Sequence, residues 1–153
     1  MKFLALVSLA LLPLTSFAFD TQLELGSFLN HQDKVEIALS NMAIEKSSDA
    51  KILSYAKRVV ANHTLANIVL LSVSNSEKLV LSNSGEFDAT LGELCVLEGT
   101  VFDHEYARVM VAVHEKALMS IDTSIKIQNS PIGAFSSIIR ARVQSGLEMA
   151  RQL

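Results

Sequence analysis

The chain has 153 residues, of which 50% are hydrophobic and 19% charged, enough for one domain that buries its own core. Its formal net charge of −3 offers no basic excess to neutralise phosphates, which argues against a nucleic-acid partner. One Cys rules out an internal disulfide and any multi-cysteine metal site, while 2 Pro, 6 Gly and no Trp favour long helices.

The N-terminus reads as a secretory signal. Lys2 supplies a positive charge, residues 3–12 form an apolar stretch broken only by Ser8, and Pro13 interrupts it. Ser16-Phe17-Ala18 then places small residues three and one before a cut after Ala18. The apolar stretch is shorter than the ~20 residues a membrane span needs. The expected organisation is a signal peptide over residues 1–18 and a single helical domain over 19–153. No later segment is apolar and long enough to span a bilayer, so the mature chain is expected not to be membrane-spanning.

Four helical patterns follow. The first covers residues 21–44, with Phe28, Gln32, Val35, Leu39 and Met42 on one face. Gly26 is a candidate kink or break in it. Ser47 or Ser48 is expected to cap the second helix, and Asp49 to favour the positive end of its dipole. That helix covers residues 49–78, and its stripe of Ile52, Ala56, Val59, His63, Ala66, Leu70 and Val73 has heptad-like spacing.

Residues 82–99 form a longer connection. It holds a turn at Asn83-Ser84-Gly85 and room for a short helix through Leu91, Leu94 and Cys95. Leu94, Val96 and Leu97 surround Cys95, which is expected to be a buried small hydrophobe. The third long helix covers residues 100–126, with Tyr106, Met110, His114, Ala117, Ile121 and Ile125 in a stripe. Pro131 opens the fourth, over residues 131–151, whose predicted stripe is Phe135, Ile139, Arg142, Gly146, Met149 and Leu153. Four amphipathic helices with two tight turns and one longer connection predict an all-α four-helix bundle.

His63 and His114 fall near the middle of apolar stripes, and Glu36 lies at the edge of the first core face. Bundles build metal sites from inward His and Glu. The di-iron pattern needs a Glu three residues before each His, and those positions hold Val60 and Val111. A mononuclear metal site at Glu36, His63 and His114 survives that test. The alternative is a hydrogen-bonded polar layer with Arg142 or Tyr106 as partners, and the sequence favours it. His31 and His104 have polar neighbours and are expected to be exposed. No nucleophile pairs with a base, so no catalytic residue, enzyme activity or cofactor is predicted.

Several of these residues resemble a known family. They are Glu36 with Met42-Ala43 and Ser47-Ser48; Tyr55-Ala56-Lys57-Arg58-Val59-Val60 with His63 and Asn67; and Gly99, Phe102-Asp103, Tyr106 and His114. The pattern is similar to the exported bacterial family termed domain of unknown function 4142. The resemblance implies a ferritin-like helical bundle over residues 20–153, in the periplasm or at the outer membrane. This sequence departs from the family pattern twice. Asn62 stands where Asp usually precedes the second-helix His, and Gly146 stands where the last helix commonly carries another His. The resulting expectation is a non-enzymatic bundle whose partner is an unknown protein or envelope component. A ferritin-like metal-binding or redox protein is the second reading.

Overall fold

The computed structural model describes residues 19–74, 79, 85–124 and 127–153. The expected signal peptide, the end of the second helical pattern at Lys78, the turn at Asn83-Ser84, and Ile125 and Lys126 lie outside them. The described residues are all-α, with four long helices and one short one: α1 (Gln22–Lys46), α2 (Ala50–Val73), α3 (Gly85–Cys95), α4 (Gly99–Thr123) and α5 (Pro131–Ala150). None of these helices is long and apolar enough to cross a membrane.

Local chemistry sets the boundaries. Thr21 and Glu24 form a reciprocal capping box that starts α1. Gly26 does not break that helix, which runs through it without interruption. It is buried, and a Cβ there would come within 2.6 Å of Ile132 Cδ1, so its missing side chain lets α5 approach closely. Asp49, rather than Ser47 or Ser48, caps α2, its Oδ1 accepting the backbone N–H of Lys51 at 2.7 Å and of Ile52 at 3.1 Å. Ser47 holds that turn by accepting from the Asp49 N–H at 3.0 Å. Gly99 opens α4 at φ +58°, a conformation that disfavours any residue with a Cβ. Ser130 and Pro131 start α5 as cap and first residue.

α1 packs against both α2 and α4, and α5 against both α4 and α2. Two apolar clusters result. One gathers Leu39, Ile52, Tyr55, Val59, Phe102, Tyr106 and Met110; the other gathers Leu25, Leu29, Leu70, Ile121, Phe135, Ile139 and Leu147. On α2 and α4 the chain passes from one cluster to the other at His63 and His114, and on α1 the buried polar residues Asn30, Gln32 and Asp33 separate the clusters, with Glu36 following one turn on.

The predicted stripe of α4 is buried through Tyr106, Met110, His114, Ala117 and Ile121. The register of α5 differs by one position in its middle: Val143 is buried and Arg142 is exposed. A step of three from Ile139 reaches Arg142 and a step of four reaches Val143, and the apolar one takes the interior. Cys95 is exposed, contrary to expectation. Leu94 is 1% exposed and takes the inward position, which turns the next residue about 100° away.

Candidate metal centre

Glu36, His63 and His114 converge from three helices. Glu36 Oε2 lies 3.0 Å from His63 Nε2 and 3.5 Å from His114 Nε2. One ligating atom from each residue lies within 4.8 Å of the others. Glu36 and His114 are each 1% exposed, whereas His63 is only partly buried.

The far side of each imidazole is already committed. His114 Nδ1 lies 2.9 Å from the Met110 carbonyl oxygen, which can only accept, so Nδ1 carries the proton. His63 Nδ1 donates to Asp33 Oδ1 at 2.8 Å. Both Nε2 atoms therefore turn towards the same carboxylate oxygen. Glu36 Oε2 is fully buried, yet it has no aligned hydrogen bond: His63 Nε2 is close enough, but the ring N–H direction misses the oxygen. A buried carboxylate oxygen in that state is costly unless a cation faces it.

In the metal-free protein the electrostatics make His63 the cation that faces Glu36. Burial alone would raise the Glu36 carboxyl, but the imidazoles of His114 and His63 outweigh it and hold the group below the usual carboxylate range. Burial pushes His63 down, and Glu36 and Asp33 more than reverse this, raising it to about 10. Desolvation dominates at Asp33 and raises its carboxyl despite His63.

Asp33 is a site residue that the sequence reading missed. It is buried one turn before Glu36, and Asn30, one turn earlier again, accepts from Asn67 Nδ2 at 2.8 Å. The partners expected for a purely structural layer do not serve it. Arg142 is exposed, and the Tyr106 hydroxyl pairs with Ser40 Oγ at 2.8 Å. His104 is exposed as expected, whereas His31 is half-buried.

A cavity of about 160 Å³ opens onto the cluster between α2 and α5. Gly146 lines it and packs its backbone against the His114 imidazole on the α5 side, with no side chain between them. Asn62 also lines the cavity and is exposed.

The three donors are grouped closely enough to hold one metal ion. Two imidazole nitrogens and a carboxylate oxygen suit divalent first-row metals. In a tetrahedral zinc site, bonds of ~2.0–2.1 Å put neighbouring donors roughly 3.3 Å apart, close to the separations found around Glu36 Oε2. Asp33 and the Met110 carbonyl hold the far nitrogens of the two imidazoles, the position that outer partners take in metal sites.

No curated protein and no solved structure shows a significant match to the chain. The family model described as "Domain of unknown function (DUF4142)" matches residues 26–153, and the protein therefore belongs to the DUF4142 family.

Proposed function

We propose that the protein is an exported, non-enzymatic metal-binding bundle of the bacterial envelope, holding one divalent transition-metal ion at Glu36, His63 and His114. The observation that carries this reading is the convergence of both Nε2 atoms on the buried, unbonded Oε2 of Glu36. With both Nδ1 protons committed elsewhere, a divalent ion that displaces the His63 Nε2 proton would find three donor atoms around it and satisfy all three.

The bundle is read as a four-helix, ferritin-like one, by the packing of α1, α2, α4 and α5 and by the family pattern. Export rests on the charge, apolar stretch and small-residue order of residues 1–18, with cleavage after Ala18. The mature chain then works in the periplasm or at the outer membrane. A binding role is preferred to catalysis because Asp33, the other carboxylate lining the cavity, is held by His63.

A second reading rests on the same two distances around His63. As an imidazolium between Asp33 and Glu36, it would be a structural polar layer that needs no ion. Thermal melts with Zn²⁺ and with chelator separate the two. A ligand at one hundred times its dissociation constant stabilises the native state by about 2.7 kcal/mol. A rise in melting temperature that is lost in both His63→Gln and His114→Gln supports the metal reading. No rise supports the polar layer.

A further inference from the structure

We propose that the metal-loaded site takes a small carboxylate anion as a further ligand, drawn through the cavity by Arg58 and Arg142; this rests on the metal reading above. The chain has five arginines: Arg58, Arg108, Arg140, Arg142 and Arg151. Arg108 pairs with Glu105, Arg140 with Asp122 and Arg151 with Glu115, all within 2.7 Å. The remaining two have no carboxylate within ion-pair distance among the described residues, and both line the cavity above the cluster. Arg58 Nη1 donates to the Met149 sulfur at 3.3 Å, and a thioether is a weak acceptor.

The charges favour an anion once a metal is bound. Glu36 and Asp33 contribute two negative charges at the floor, and a divalent ion offsets them. Arg58 and Arg142 then leave the cavity positive, with apolar walls from Val59, Ala66 and Val143 that strengthen the attraction. Three protein donors leave a coordination position open. Gly146 places no side chain in front of His114, where a fourth protein donor would have closed the site. A dry cavity of ~150 Å³ admits a molecule the size of benzene, so about 160 Å³ suits an anion of up to roughly six non-hydrogen atoms. A carboxylate matches both ends of this space, as a hard oxygen donor to the metal and as a planar partner for guanidinium groups.

Metal and anion binding must then be coupled reciprocally, each tightening the other by the same factor. The test uses the purified protein loaded with Co²⁺, whose visible d–d absorption reports its donor set. Sodium acetate is titrated in at ionic strength held constant with sodium perchlorate. The expected result is a saturable spectral change, with acetate bound at least tenfold more weakly in the Arg58→Ala/Arg142→Ala double variant while the Co²⁺ spectrum persists. A Co²⁺ spectrum that ignores acetate, or responds equally in wild type and double variant, overturns this inference and leaves the metal site standing. Failure to develop any protein-bound Co²⁺ spectrum overturns both.

Discussion

Gly146 lies against the imidazole of His114. A Cβ at position 146 would come within 2.6 Å of His114 Cδ2 and closer still to Nε2. The ring cannot swing away freely, because its Nδ1 is held by the Met110 carbonyl. The missing side chain of α5 therefore sets where His114 Nε2 of α4 sits. Alanine usually gains about 0.5–1 kcal/mol over glycine inside a helix. Gly146→Ala is expected to lose that gain, and to weaken Zn²⁺ binding by more than tenfold by displacing Nε2. Chelator competition and a denaturant melt would check both; a stabilised variant with wild-type zinc affinity would show the contact to be slack.

On the metal reading, Asp33 is a positioning residue that acts through His63, whose Nδ1 it holds at 2.8 Å. Asp33→Asn keeps an oxygen for the His63 Nδ1–H but removes the charge that makes the imidazole a stronger donor. Loss of such an outer partner typically costs 10–100-fold in metal affinity. The variant should fold, with helical circular dichroism like wild type, and bind Zn²⁺ within that range more weakly. Unchanged affinity would mean that Asp33 serves the fold alone.

The metal-free protein should lose stability on the alkaline side. His63 has a folded pKa of about 10, above its ordinary 6.5, because Glu36 and Asp33 outweigh the opposing effect of burial. A basic group raised in this way stabilises fully below the lower value and loses its contribution as pH rises through the upper one. Glu36, lowered from 4.5, behaves oppositely and loses its contribution as pH falls through its folded pKa. Urea melts from pH 6.5 to 10 should show falling stability in wild type and a flatter profile in His63→Gln. Parallel profiles would contradict the assignment. Over the same range a metal must displace the His63 proton, so apparent affinity should rise with pH.

Val59 is 4% exposed and packs in the cluster on the Tyr55–Tyr106 side of the site. Val59→Asp buries a carboxylate with no partner and should cost several kcal/mol. A melt indistinguishable from wild type would mean that this face of α2 is not core.

The sequence makes His63 and His114 legible because each replaces an apolar residue in a long, regular stripe. Asp33 is hidden by the opposite logic. Asn30, Asp33 and Glu36 recur every third residue on α1, a spacing that reads as a solvated polar face. Only the arrival of His63 and Asn67 from α2 makes that face interior. Arg142 and Cys95 fail for a shared reason: each adjoins an apolar residue, Val143 or Leu94, that competes for the same inward position. Periodicity fixes the face of a helix to within one residue, and burial of the neighbour decides between them. The Asp49 cap was readable in kind but not in position, since Ser47, Ser48 and Asp49 are all capable caps.

The donor set itself is the most direct test of the account. X-ray absorption on the zinc-loaded protein should show two imidazole nitrogens at about 2.0–2.1 Å and carboxylate oxygen at about 2.0–2.2 Å. Bound metal should fall to background in the Glu36→Gln/His63→Gln/His114→Gln triple variant. A coordination shell without imidazole, or zinc retained at wild-type affinity by the triple variant, would contradict the assignment of Glu36, His63 and His114 as the metal centre.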